Sequence, residues 1–100
     1  MYTIEFTTEA EADLRWFSRR EQNMVLEGIK NHLVYEPLKV TRNQHPCRED
    51  ETMIADWELR LGVYRTYYNV DEADLVVVIE RIGSKPNNTV FLRGRRQGRP

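Results

Sequence analysis

The chain has one cysteine in its 100 residues, Cys47, and this excludes an internal disulfide and speaks against a cysteine-built metal site. Its four prolines and five glycines are too few for a linker or a low-complexity segment. Hydrophobic runs are short, and nothing reads as a signal peptide or a membrane span, so the cytoplasm is the default address. A broad excess of positive charge is also missing: the formal net charge is −1, which argues against a generally basic nucleic-acid-binding surface. With 40% hydrophobic and 10% aromatic residues, the chain can bury one core.

The charges are unevenly placed. Residues 49–80 carry nine acids, among them the run Glu49-Asp50-Glu51, against Arg60 and Arg65. From Ser84 to Pro100 there are five cations, Lys85, Arg93, Arg95, Arg96 and Arg99, and no acid. Residues 1–94 therefore read as a single domain and 95–100 as a basic, flexible C-terminal tail.

Alternation of Tyr2, Ile4 and Phe6 with Thr3 and Glu5 predicts an opening strand. Thr7 or Thr8 then caps a helix, with Glu11 as capping-box partner of Thr8, and Ala10, Leu14 and Phe17 share its buried face. Ser18 to Glu21 breaks the pattern. A second helix from about Arg20 to Tyr35 turns Val25, Ile29, His32 and Leu33, with Leu26 at the margin, inward and stops at Glu36-Pro37.

Residues 38–56 lack a period and read as a long loop, basic at Arg42, His45 and Arg48. Trp57, Leu59 and Leu61 alternate with Glu58 and Arg60, giving a strand with one apolar and one charged face. A turn at Gly62 leads into Val63 to Val70, where Val63, Arg65, Tyr67 and Asn69 lie on one face and Tyr64, Thr66, Tyr68 and Val70 on the other. Leu75 to Ile82 begins with five aliphatics and reads as a central strand covered on both faces. A short last strand follows at Thr89 to Arg93. The expected architecture is α+β, a helical hairpin on one face of a mainly antiparallel sheet of four or five strands, with the other face partly open and the partner of the first strand undetermined.

The ordered set WELRLGVYRTYYNVDE, VVVIERIGSKPNN and VFLRG, with YTIEFTTEAEADL and IKNHLVYEPLKVTRN before it, resembles the RelE/ParE superfamily of toxins from bacterial toxin–antitoxin pairs. The resemblance spans nearly the whole chain and implies a small sheet bearing a helical hairpin. It also implies a cognate antitoxin encoded nearby, for which the open sheet face and an edge strand offer a docking place.

RelE-type members cut mRNA in the ribosomal A site without metal or other cofactor, turning the 2′-hydroxyl against the adjacent phosphate. Resemblance places Arg65 at the phosphate-binding arginine of such enzymes. It places Lys85 where they have a second catalytic arginine, supplying charge without the bidentate fork. Phe91 stands at a tyrosine position and keeps the stacking ring without its hydroxyl. The loop written RNQHPCR here is denser in lysine and arginine in many relatives. Arg42, Arg48 and Arg93 are RNA-binding candidates beside Phe91. His45 is the general-base candidate by chemistry, because it alone in that loop titrates near neutrality in an unperturbed setting, although a solvated loop histidine does so as well. His32 reads as structural, and two distant histidines without a nearby cysteine do not make a metal site.

For Arg65 the alternative is an ion pair with Glu58 or Glu80. The tyrosines Tyr64, Tyr67 and Tyr68 read as packing rather than as a stacking platform, and Trp57 as core. Two other functions stay open: inhibition of DNA gyrase, as in the ParE branch, and a family member that keeps mainly its antitoxin binding.

Overall fold

A computed structural model describes residues 1–98. The elements run β1 (Thr3–Phe6), α1 (Thr8–Trp16), α2 (Arg19–Leu33), β2 (Gln44–Pro46), β3 (Trp57–Leu61), β4 (Tyr64–Asp71), β5 (Val76–Ser84), β6 (Val90–Leu92) and β7 (Arg95–Gln97). The strands β2-β3-β4-β5-β6-β7 are antiparallel neighbours in that order, and β1 joins as a parallel partner of β5. This is the expected α+β architecture, with β5 in the middle as its aliphatic run required. Along one edge β5 pairs with β4 throughout. The other edge is divided between β1, at Val76 to Ile79, and β6, at Ser84.

Helix starts are set by side-chain caps. The Thr7 hydroxyl accepts from the Ala10 amide at 3.0 Å, so Thr7, not a box from Thr8 to Glu11, opens α1. The box lies at the apparent break: the Ser18 hydroxyl accepts from the Glu21 amide, and the Glu21 carboxylate accepts from the Ser18 amide. Ser18 to Glu21 thus starts α2 and makes the connection between the helices very short.

The helices cover one sheet face. Ala10, Phe17, Val25, Ile29 and Leu33 pack with Leu59, Tyr68, Val77, Ile79 and Ile82. Leu26 is exposed and His32 half-buried, outside this cluster. Trp57 is half-buried against the core and stacks on Tyr68, with ring centroids 6.1 Å apart.

Three expectations change. Residues 38–56 are not a plain loop: β2 pairs with β3, and a single 3₁₀ turn spans Glu49–Glu51. Buried Gln44 ties this segment down by donating to the carbonyls of Glu36 and Lys39. Residues 95–97, expected in a flexible tail, form β7 on β6, so the sheet has seven strands; the tail's Arg99 lies outside the described residues. Lastly, the charged face of β3 is not solvated, since Glu58 is fully buried. A second cluster of Ala55, Tyr67, Val90 and Leu92, with Cys47 and Ile54 against it, covers part of the face that was expected to be partly open. No helix among the described residues is long and apolar enough to cross a membrane.

Candidate functional site

Strand pleating and register bring the polar residues of β2, β3 and β4 together on the face away from the helices. His45 is the partner of Glu58 across β2 and β3, and Glu58 is the partner of Tyr67 across β3 and β4. The next row pairs Arg60 with Arg65, and Arg65 with Gly83. The two-residue Gly62-Val63 turn sets this register, and Gly62 supplies the positive φ of +61° that such a hairpin needs. Gly83 admits no side chain, because a Cβ there would lie 2.2 Å from the Phe91 carbonyl oxygen.

Arg65 is held from two sides. Its Nη1 donates to the carbonyls of Gly62 at 2.7 Å and Tyr64 at 2.9 Å, and its Nε lies 3.2 Å from Glu58 Oε1. The expected alternative of a Glu58 pair is therefore present, and its side chain retains 14% exposure. Arg60 Nε stands 3.4 Å from the same carboxylate oxygen. Among the described residues, neither oxygen of Glu58 accepts a hydrogen bond, and neither Nε donates one. Charge alone holds this trio, with the donors misaligned, so the carboxylate's desolvation is incompletely offset.

Lys85 departs from the accessible phosphate position expected of it. Its Nζ donates to Glu51 Oε1 at 2.7 Å, and only 7% of its side chain is exposed. The other oxygen of Glu51 accepts from the Tyr67 hydroxyl at 2.8 Å. Burial, then its hydrogen bond to Glu51, pushes the Tyr67 phenol far above its usual range. Cys47 nearby is pushed up to about 12, by burial first and then by the charges of Glu58 and Glu51. Both effects disfavour the thiolate, the reactive form.

Arg93 is likewise engaged rather than free for RNA. It pairs with Glu9 and sets Nε 2.9 Å from Oδ1 of the fully buried Asp13. Asp13 Oδ2 accepts from Arg81 Nε at 2.7 Å and from the Ile82 amide at 3.0 Å. This α1 carboxylate thus satisfies β5 backbone in the gap between β1 and β6, and Arg93 belongs to that structural network.

His45 Nε2–H donates to the Arg42 carbonyl at 3.0 Å, which fixes the tautomer of the neutral ring and leaves its lone pair on Nδ1. Arg42 and Arg48 are exposed, and Phe91 is half-buried opposite Ser84 and Arg96. A cavity of about 520 Å³ opens beside Lys85, lined also by Glu51, Asn88, Thr89 and Arg96. Among the described residues no group of three or more His, Cys, Asp or Glu could hold a metal ion.

The face therefore unites His45 and Arg65 around Glu58, while Tyr67 leads from Glu58 to Glu51 and Lys85. Arg93 stands apart. Sequence reasoning named Glu58 as a possible partner of Arg65 but missed Arg60 and Glu51 as parts of this arrangement. For Arg60 the signal was present, since a two-residue turn at Gly62-Val63 makes it the partner of Arg65. Nothing local marks Glu51 as the partner of a lysine 34 residues later.

No family model matches the chain. Toxin RelG of Mycobacterium tuberculosis is 35% identical over 81 residues, which cover 81% of this chain and 87% of RelG. The chain belongs to the RelE family of toxins from toxin–antitoxin systems. Among solved structures, the RelBE2 toxin–antitoxin complex of M. tuberculosis contains a chain 34% identical, with a TM-score of 0.69 over 83% of this chain and 96% of that one. The isolated RelE toxin of E. coli, at 19% identity and TM-score 0.63 over 84% of each chain, shares the fold. In this RelE-family toxin the two helices packed on a mostly antiparallel sheet match the architecture of those structures.

Proposed function

We propose that this toxin is a ribosome-dependent endoribonuclease that cleaves mRNA, kept inactive by a cognate antitoxin. The antitoxin follows from family membership and from the toxin–antitoxin complexes among its structural relatives. The observation that carries the nuclease reading is Arg65: a guanidinium fixed by two carbonyls and a buried carboxylate, on a sheet face that also bears His45.

In this reaction His45 Nδ1 takes the proton of the ribose 2′-hydroxyl as the O2′–P bond forms. Arg65 stabilises the charge gathering on the phosphorane. The P–O5′ bond then breaks, O5′ takes up a proton from water, and the products are a 2′,3′-cyclic phosphate and a 5′-hydroxyl. Arg42 and Arg48, exposed at the margin, hold the flanking phosphates, and Phe91 offers a ring to a base.

The engagement of Lys85 and Arg93 with carboxylates favours a second reading in which cleavage is absent and the toxin acts by binding, on gyrase or on its antitoxin alone. Induced expression separates the two. New mRNA 5′-hydroxyl ends support the nuclease, whereas intact mRNA supports the other, with loss of gyrase supercoiling if gyrase is the target and without it if only the antitoxin is bound.

A further inference from the structure

Lys85, the cation that resemblance assigns to substrate phosphate, is occupied from within. Its ammonium and the Tyr67 hydroxyl converge on the two oxygens of one carboxylate, 2.7 and 2.8 Å away, and Glu51 is only 3% exposed. A lysine and a phenol directed at two oxygens of one anion is the donor arrangement that a phosphodiester's non-bridging oxygens require. The site borders the 520 Å³ cavity, whose lining includes Lys85, Glu51 and the cation Arg96.

We infer that Lys85 and Tyr67 form an anion site for an RNA phosphate and that Glu51 is its built-in competitor, which the phosphate must displace. This rests on the RNA reading above.

The local chain suits such an exchange. Glu51 ends a 3₁₀ turn of one step, Glu49–Glu51, joined to the chain around it by short-range bonds: its amide donates to the Arg48 carbonyl, and its carbonyl accepts from the Ile54 amide. Ala55 and Ile54 fasten the segment in the second apolar cluster, and the Asp56 amide donates to Asn69 Oδ1. The turn itself carries no strand bond, so displacing the Glu51 side chain breaks none. Its other acids, Glu49 and Asp50, are exposed and repel an approaching phosphate backbone while the turn is seated.

Binding of an uncleavable 2′-O-methyl RNA hexamer at low salt, read by fluorescence anisotropy, tests the competition. Glu51→Gln removes the charge, with its amide oxygen accepting from Lys85 and its amide nitrogen donating to the Tyr67 hydroxyl oxygen, and is expected to bind about tenfold tighter than the parent, a ratio equivalent to about 1.4 kcal/mol. Adding Lys85→Ala should erase the gain. Glu51→Asp, too short to reach both partners, should fall between parent and Glu51→Gln and serves if the latter melts early. Equal binding by the parent and the folded Glu51 variants, or a gain that survives Lys85→Ala, overturns the inference. Failure of the RNA reading is separately visible: a Lys85-dependent gain together with an Arg65→Ala protein that still arrests growth keeps the anion site and sinks the nuclease.

Discussion

Arg60 and Arg65 face each other as register partners across β3 and β4, and the buried carboxylate of Glu58 lies within 3.4 Å of both. Two like charges directly opposite on a sheet destabilise it unless an anion is supplied. Glu58 supplies that anion by charge alone, without forming a hydrogen bond, while the Gly62 and Tyr64 carbonyls hold the Arg65 guanidinium.

Glu58→Gln tests what that charge adds to stability and to orientation. The variant should lose about 1–3 kcal/mol, less than the 3–5 typical of a broken, fully buried pair, because Arg60 can reach water. Cleavage should fall with the loss of Arg65 alignment, and denaturant melts beside single-turnover assays read the two effects separately. Unchanged cleavage would show that Arg65 is placed by the two carbonyls alone.

Asp13 has a different duty. Its carboxylate receives Arg81, Arg93 and the Ile82 amide at 0% exposure, so Asp13→Ala orphans a buried backbone donor and two cations. A destabilisation of about 3–5 kcal/mol is expected in equilibrium unfolding. A loss under 1 kcal/mol would mean that water replaces the carboxylate with little penalty.

The link from helix to sheet should respond to acid. The Tyr64 hydroxyl, 2.6 Å away, and then the Ser18 contacts hold the Glu21 carboxyl below its usual range. A folded-state pKa below the unfolded one gives stability that is complete above the ordinary carboxylate pKa and lost as the pH falls through the folded value. The thermal midpoint should drop on acidification, and the drop should be smaller in Glu21→Gln. Identical acid profiles for the two proteins would contradict the assignment.

Cys47 should resist alkylation. With its thiol pushed up to about 12, labelling by iodoacetamide at pH 8 should be slower than in the unfolded chain by on the order of 10³. Rapid labelling of the native protein would place Cys47 in an open segment and not under the acidic turn.

Much of this was legible because period-2 and helical periodicity report burial directly. Tyr64 to Val70 divides between the two faces as its alternation requires, with Val63 left in the turn, and the aliphatic run of β5 lies in the middle of the sheet. The parallel pairing of β1 with β5 was not legible, since alternation specifies a face and not a neighbour. Short β2 and β7 escaped notice because three residues without apolar alternation carry almost no period. At the site, Arg65 and His45 could be singled out by chemistry, whereas the carboxylates that engage Lys85 and Arg93 come from remote segments. Charge partners of high sequence separation leave no local trace.

The central claim is that the Arg65 guanidinium stabilises the phosphorane, and the most direct measurement is mapping of mRNA 5′-hydroxyl ends after induced expression of Arg65→Ala beside the parent. Loss of one preorganised donor should lower cleavage by about 10²–10³ and relieve growth arrest, with the variant still folded. An Arg65→Ala protein that cuts mRNA and arrests growth as the parent does would contradict the account.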